Sequence, residues 1–225
     1  GETVIEGEAQ VVAPTVKVRR PRVALPQVHL HEKGARFAAL IAKTAPLDPV
    51  RTGVVHPCDA LSLEGALEAA ERGIIIPVLI GPRGKIEAVA LETKRDLEGV
   101  EIVDVPHRHA AADMAVSMAR AGRIEMIMKG KLHTDELLAP IVDKATGLRT
   151  DRRITHIFVL DVPHYPKPLL ISDAAINIAP DLDAKRDIVQ NAIDLAIALG
   201  NPLPKVAVLS AVETVTPTIP SSVDA

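Results

Sequence analysis

Aromatic side chains are almost absent from this sequence. Its 225 residues contain two phenylalanines, one tyrosine and no tryptophan, although 48% of the residues are hydrophobic. Proteins that bind single-stranded nucleic acid stack the bases on aromatic side chains, so the composition disfavours that class. A core of short aliphatic side chains instead suits a buried parallel sheet that is covered by helices.

Cysteines, long apolar runs and long runs of one charge are also missing. The single cysteine, Cys58, cannot form an internal disulfide, which fits a reducing compartment. No stretch approaches the roughly 18 consecutive apolar residues of a membrane-spanning helix, and the N-terminal residues lack the layout of a signal peptide. The net charge is −3, with both signs spread along the chain. We therefore expect a cytoplasmic protein that binds neither nucleic acid nor membrane.

Strand and helix patterns alternate between residues 50 and 147. Apolar strand-like runs cover 52–55, 74–80, 100–105 and 124–128, and helical patterns cover 61–72, 110–121 and 135–144. A shorter amphipathic helix is predicted around Phe37. This alternation predicts an α/β fold with a three-layer arrangement around a parallel sheet.

The pattern changes after Gly147. Two strands, 154–162 and 169–171, are joined by a connection short enough for an antiparallel pair. A long helix follows, with Asp181 as its N-cap and Gly200 at its end, and a last strand is predicted over 205–209. These features place a first α/β domain over 31–147 and a partial second domain over 148–225. Because the second domain lacks a closing element, we expect the sequence to be incomplete.

The first 30 residues differ from the rest. Residues 4–13 have the pattern of a strand, and a basic, proline-containing connector follows at Arg19-Arg20-Pro21-Arg22. A disordered tail is the alternative interpretation of this segment.

The residues that follow the strand over 124–128 have the composition of an anion site. Lys129, Gly130, His133 and Thr134 lie between that strand and a helix, and open α/β sheets bind ligands at the carboxyl ends of their strands. Backbone N–H groups and the helix dipole favour a phosphate there. Two carboxylates in the first helical turn oppose an anion. The alternative is a solvated loop in which Thr134 caps the helix.

Polar residues also follow two later strands, at Asp173 and Asn177 and at Ser210 and Thr214. By themselves these residues favour turns and helix caps. No metal site is predicted, because the pairs at His29 and at His107 have no further ligand at a conventional spacing. The phosphate-binding P-loop, the dinucleotide glycine motif and the G-x-S-x-G elbow are all absent, which disfavours those enzyme classes.

The same segments resemble the phosphate acetyltransferase and phosphate butyryltransferase family. Residues 128–138 are similar to its M-K-G-x-x-H-T-x-x-L-L stretch, and residues 172–180 to its T/S-D-A-A-I-N-I-A-P signature. Residues 190–196 and 205–215 continue the match in the same order. The resemblance covers residues 50–225, and the first 30 residues resemble the end of an enoyl-CoA hydratase and its linker, as in bifunctional proteins.

The resemblance implies two α/β domains similar to those of isocitrate and isopropylmalate dehydrogenases, and a homodimer. It implies transfer of a short acyl group, acetyl to butyryl, between coenzyme A and phosphate, with coenzyme A as a substrate and no metal or cofactor. The residues that would line the cleft between the domains are, on one side, Lys129, Gly130, His133 and Thr134 and, on the other side, Asp173, Asn177, Ser210, Glu213 and Thr214.

The sequence departs from this family at two points. The catalytic Ser-Arg pair of the family and a nearby Asp lie in C-terminal segments without a counterpart here, so no catalytic residue is assigned. The chain alone is therefore expected to be inactive. Ala139 stands where acetyl-preferring relatives have an arginine, which is closer to the butyryl type. The alternatives are a metal- and NAD-dependent dehydrogenase of similar fold and a non-catalytic module that binds coenzyme A.

Overall fold

Strands and amphipathic helices alternate in the computed structural model, which describes residues 34–162 and 165–225. The predicted strand over 4–13 and the basic connector lie outside the described residues. The strands are β1 (Val50–Val55), β2 (Ile75–Gly81), β3 (Glu101–Asp104), β4 (Met126–Lys129), β5 (Ile157–Leu160) and β6 (Leu169–Ser172). The helices are α1 (Ala35–Thr44), α2 (Ala60–Glu71), α3 (Arg83–Glu92), α4 (Arg108–Arg120), α5 (Thr134–Ile141), α6 (Leu182–Ala198) and α7 (Pro220–Asp224).

Strands β1 to β4 form one sheet in the order β3-β2-β1-β4, and every neighbouring pair is parallel. Pro77 of β2 lies opposite Thr52 of β1, one residue before the pairing of β2 with β3 begins at Val78. Because proline has no N–H to donate, it is tolerated where a strand lacks a neighbour on one side. The predicted parallel sheet is confirmed.

Each face of this sheet carries its own apolar cluster. Val54 and Leu79 pack with buried residues of α2 and α3, whereas Val55 and Ile80 pack with those of α4 and α5. Successive side chains of a strand point to opposite faces, so a sheet buried on both faces requires continuous apolar strands. The three-layer arrangement predicted from the alternation of strands and helices is confirmed.

Residues after 150 form a smaller unit. β5 and β6 pair antiparallel, with Phe158 opposite Ile171, and α6 packs against β6. The Asp181 carboxylate accepts a hydrogen bond of 2.8 Å from the Ala184 N–H at the start of α6. Gly200 follows the helix with a φ of 94°, a conformation that glycine adopts without strain. The antiparallel pair and both ends of α6 agree with the sequence-based prediction, whereas the domain boundary near residue 147 stays a prediction.

Three elements differ from the expectation, and one of them is the short helix α7, which was not predicted. α3 was not predicted, because its buried side chains, Ile86 and Ala90, form too narrow a stripe among charged residues to stand out. The strand predicted over 205–209 is wrong: this segment has no regular structure, and Leu209 is 85% exposed. An extended segment becomes a strand only when a neighbour accepts and donates its backbone hydrogen bonds, and no described strand pairs with this one.

Within the part of the chain that the structure describes, no helix combines the length and the hydropathy that crossing a membrane requires.

Candidate anion-binding site

The strand order brings two loops together at the carboxyl edge of the parallel sheet. The chain proceeds from β1 to β2 and β3 on one side and then returns to place β4 on the other side of β1. At such a reversal, the chain leaves the two neighbouring strands β1 and β4 toward opposite faces of the sheet, and open α/β sheets bind their ligands at this edge. The two loops are the β1 loop (residues 56–59) and the β4 loop (residues 130–133).

The two loops are in direct backbone contact. The Gly130 N–H donates to the Val55 carbonyl at 2.9 Å, and the Lys131 N–H donates to the His56 carbonyl at 2.9 Å. A Cβ added to Gly130 would lie 2.4 Å from the Val55 oxygen and 2.7 Å from the His56 oxygen. Glycine is therefore the residue that permits this approach, which places Gly130, one of the predicted site residues, at the centre of the junction.

His56 belongs to this junction, although the sequence analysis did not select it. Its side chain is buried, with 8% exposure, and its Nδ1 lies 2.8 Å from the Lys131 carbonyl oxygen. Because a carbonyl oxygen can only accept, Nδ1 is the protonated ring nitrogen. The position of His56 directly after an apolar strand was the available signal, but its proximity to Lys131 depends on the strand order.

The junction is rich in positive charge. Lys129 and Lys131 are exposed beside Gly130, and the Lys129 ammonium lies 3.5 Å from the Gly130 carbonyl oxygen. Burial raises the pKa of the Cys58 thiol, and the charges of Lys85 and Lys131 partly offset that effect. Lysines from α3 and from the β4 loop therefore both act on the Cys58 thiol, and this positive charge favours an anionic ligand.

The β1 loop ends at Asp59, whose carboxylate caps helix α2. Asp59 accepts hydrogen bonds from the Ser62 hydroxyl at 2.5 Å and from the Ser62 N–H at 2.8 Å. These bonds, with the hydroxyl contributing most, lower the pKa of Asp59. Asp59 therefore stays ionised, and its carboxylate is held at the start of α2 by these bonds.

The start of α5 differs from the predicted cap. His133 occupies the N-cap position and Thr134 is the first helical residue, so the assignment of Thr134 as the cap is wrong. The Glu136 carboxylate reaches back and accepts the His133 N–H at 2.9 Å, and it pairs with Arg108 at 2.8 Å. The His133 N–H, followed by the charges of Arg108 and His109, lowers the pKa of Glu136. One of the two carboxylates that oppose an anion is therefore neutralised by its partners.

Asp173 and Asn177 lie together in the connection between β6 and α6. The Asp173 carboxylate accepts the N–H groups of His156 at 3.0 Å, Ala175 at 3.2 Å, Ile176 at 3.3 Å and Asn177 at 2.8 Å, and also the Asn177 side-chain amide. Burial would raise the pKa of Asp173, but the bonds from Asn177, His156 and Ala175 together lower it to about 2. The carboxylate thus organises its own loop.

The remaining predicted residues lie in irregular chain. The Ser210 hydroxyl accepts the Val212 N–H at 3.4 Å, the Thr214 carbonyl accepts the Thr216 hydroxyl at 3.2 Å, and Glu213 is exposed. Among residues 34–162 and 165–225, no hydrogen bond or ion pair links these residues, or Asp173 and Asn177, to the β4 loop. The structure brings together Lys129, Gly130, His133 and Thr134, and separately Asp173 and Asn177.

The histidine pair at the start of α4 has structural partners. His107 Nδ1 accepts the Ala110 N–H at 3.2 Å and so caps α4, while His109 Nε2 lies 3.4 Å from Glu136. No group of three or more His, Cys, Asp or Glu side chains suited to a metal ion occurs in the described ranges. His29 and His31 lie outside them.

This chain belongs to the phosphate acetyl/butyryltransferase family. The family described as "Phosphate acetyl/butaryl transferase" matches residues 106–224, which is more than half of the chain. The matched range contains the β4 loop and every site residue that the sequence predicted. His56 and Cys58 lie outside it.

The sequence is similar to enzymes with both names. It is 58% identical to the phosphate acetyltransferase of Rhizobium meliloti over 191 residues, which is 85% of this chain and 60% of that protein. It is 34% identical to the phosphate butyryltransferase of Clostridium acetobutylicum over 189 residues, which is 84% of this chain and 63% of the relative. The chain therefore spans less than two thirds of the length of either relative.

The fold is similar to that of solved phosphotransacylases. A branched-chain phosphotransacylase from Enterococcus faecalis V583 superposes with a TM-score of 0.60 and 26% identity, over 77% of this chain and 61% of that one. These comparisons lend no support to the dehydrogenase alternative. The similarity to dehydrogenase folds and the hydratase origin of the first 30 residues stay predictions.

Proposed function

We propose that this protein transfers a short acyl group between coenzyme A and inorganic phosphate. The observation that carries the proposal is the cationic junction of the β1 and β4 loops, at the position where open α/β sheets bind ligands. Both substrates are anions, and exposed lysines, together with the first backbone N–H groups of α5, suit phosphate oxygens. The names of the relatives support the same reaction.

The reaction makes clear what such a site has to supply. A phosphate oxygen attacks the thioester carbonyl carbon, the C–S bond breaks, and the thiolate of coenzyme A takes up a proton as the acyl phosphate forms. Holding phosphate against the carbonyl converts an encounter of two molecules into a step within one complex. In this proposal, Lys129 and Lys131 hold the phosphate near Gly130, while the residues around Asp173 border the site from the second unit.

The identities favour acetyl-CoA as the substrate. Relatives named phosphate acetyltransferase are 58% and 51% identical to this chain, in Rhizobium meliloti and Rickettsia felis, whereas the butyryltransferase of Clostridium acetobutylicum is 34% identical. In this proposal, the higher identity to the acetyltransferases outweighs the butyryl preference that Ala139 indicates. A homodimer without metal or further cofactor, which rests on the sequence resemblance, and a cytoplasmic location, which rests on the composition, complete the proposal.

The test measures phosphate-dependent release of free thiol from acetyl-CoA and butyryl-CoA. The 225-residue chain is assayed beside a version extended to the length of its relatives, and calorimetry with coenzyme A and phosphate reports binding independently of turnover. We expect phosphate-dependent release in the longer protein, faster with acetyl-CoA, and binding without turnover in the shorter chain. Full turnover by the shorter chain would contradict its expected inactivity but support the function.

Replacing two lysines of the site, with a third lysine elsewhere as the control, tests the location of the site. Replacing Lys129 and Lys131 by alanine should weaken phosphate binding about tenfold or more, since each charge-assisted hydrogen bond contributes roughly 1.5–3 kcal/mol. Lys94→Ala removes an exposed lysine after α3, away from the carboxyl edge, and should leave binding unchanged. Equal effects of the two changes would contradict this location, and an extended protein that binds coenzyme A without turnover would indicate a binding module.

A further inference from the structure

One residue holds both backbone polar groups of Lys131. The His56 carbonyl accepts the Lys131 N–H at 2.9 Å, and the His56 ring donates from Nδ1 to the Lys131 carbonyl at 2.8 Å. His56 is itself anchored to the sheet, because its N–H donates to the Ile80 carbonyl at 2.7 Å. The β4 loop is thus fastened through His56 to both β1 and β2.

His56 adopts a backbone conformation that few side chains tolerate. Its φ is 54°, in the left-handed region, where asparagine, aspartate and histidine are the most frequent residues besides glycine. A glycine would take this conformation without strain but would offer no group to Lys131. The imidazole therefore supplies something that glycine lacks, namely a buried donor aimed at the β4 loop.

The β4 loop has few side-chain contacts of its own that would order it, so the hydrogen bonds from His56 matter. Gly130 carries no side chain that could restrict its backbone, and the space beside it is filled by the Val55 and His56 backbone. Lys131 and His133 are exposed, so packing of their side chains does not order the loop. Leu132 is buried and anchors one point, and the bonds to His56 fix the preceding residue.

We propose that His56 is a positioning residue that orders the β4 loop for phosphate. The identity of the ligand rests on the proposed function, whereas the ordering of the loop is a property of the free chain. His56 acts through the Lys131 backbone, so the loss of its ring donor should loosen the loop and weaken phosphate binding together. His56 lies outside the range matched by the family.

The experiment compares three substitutions at one position. His56→Asn keeps an N–H donor near the position of Nδ1 and tolerates a positive φ. His56→Gly tolerates the φ but has no donor, and His56→Ala has neither property. Lys94 is the other described non-glycine residue with a positive φ, at 56°, so Lys94→Ala is the control for backbone strain alone.

Three measurements are made on the free 225-residue chain. Amide hydrogen exchange followed by NMR reports the ordering of Gly130 and Lys131, and ¹⁵N shifts report which nitrogen of the His56 ring is protonated. Exchange at both amides should be about tenfold faster in His56→Gly and His56→Ala than in the wild type and His56→Asn, as loss of one buried hydrogen bond predicts. Thermal unfolding identifies variants that are merely destabilised throughout.

Calorimetric titration with inorganic phosphate then tests the consequence for binding. We expect the Kd to rise about tenfold in His56→Gly and His56→Ala and to stay near the wild-type value in His56→Asn and Lys94→Ala. Unchanged exchange in His56→Gly, or equal loss of binding in His56→Asn, would overturn the proposal. A wild-type chain that binds neither phosphate nor coenzyme A would contradict the proposed function, and the exchange rates would still decide whether His56 orders the loop.

Discussion

At the scale of single residues, Gly130 links the fold to the candidate site. Its N–H extends the hydrogen bonding of β4 with β1 by one residue, and its missing side chain leaves room for the His56 backbone. The same residue is therefore required by sheet geometry and by the loop that would hold a phosphate. A glycine that follows a strand can be recognised in the sequence, but the backbone that it meets cannot.

Gly130→Ala should destabilise the chain. The added Cβ would meet backbone oxygen at 2.4 Å, and backbone cannot rotate aside as a side chain can, so we expect a loss of about 2 kcal/mol or more of unfolding free energy. Urea unfolding followed by circular dichroism measures this.

Gly84→Ala is the matched control for that change. Gly84 lies in α3 with nothing within 4 Å of its added Cβ, so alanine there should raise the unfolding free energy by up to about 1 kcal/mol. If both alanines had the same effect, the steric argument for Gly130 would be wrong.

At the scale of elements, the connection between β6 and α6 depends on one carboxylate. Asp173 binds the N–H of His156 before β5 and three successive N–H groups that lead toward α6. The signature at residues 172–180 therefore has a structural role that is independent of any ligand. This role is consistent with the turn that the residues alone favoured.

The stability of this connection should depend on pH in a defined window. The pKa of Asp173 is about 2 in the folded chain, below the usual value of about 3.9 for an aspartate in an unfolded chain. A lowered pKa means that the charged form stabilises the fold above about pH 4 and that this stabilisation disappears as the pH falls toward 2. The difference in unfolding free energy between wild type and Asp173→Asn should therefore narrow from pH 5 to pH 2, roughly as linkage requires. Urea titrations that find a constant difference would refute this.

At the scale of the whole molecule, α1 is bonded to residues of the smaller unit that are more than a hundred positions away in the sequence. It precedes the parallel sheet in sequence, yet Arg36 binds the Asp161 carboxylate at 2.8 Å, the Val162 carbonyl at 3.4 Å and the Tyr165 carbonyl. The Lys43 ammonium binds the Leu199 carbonyl at 3.0 Å, at the end of α6 where the helix dipole favours a cation. Because α1 has no buried residue, these polar contacts are its main attachment.

Arg36→Ala should release α1 while leaving the parallel sheet intact. We expect amide exchange in α1 to become about tenfold faster, since a helix without buried side chains opens locally, and exchange in β1 and β2 to stay the same. Arg72→Ala is the control, because Arg72 pairs with Glu68 within α2 at an exposed position and such pairs contribute less than about 1 kcal/mol. Faster exchange throughout the chain would indicate global destabilisation instead.

Much of the fold could be predicted because the relevant signals are local. The apolar strands, the Asp181 cap and the Gly200 stop depend on residues within one or two turns of each other. α3 was missed because only Ile86 and Ala90 carry its buried stripe. The strand at 205–209 was wrongly predicted because apolar composition cannot reveal whether a pairing partner is present.

The sequence by itself determined the α/β class, the positions of most elements, the loop composition at residues 129–134 and the family. Only the tertiary structure decided the strand order, and with it the contact between His56 and Lys131, which lie 75 residues apart. Strand order follows from how helices and strands bury their apolar faces against each other over long sequence separations. No local pattern encodes that choice. The β1 loop, with His56, could therefore be assigned to the candidate site only from the position of β4 beside β1.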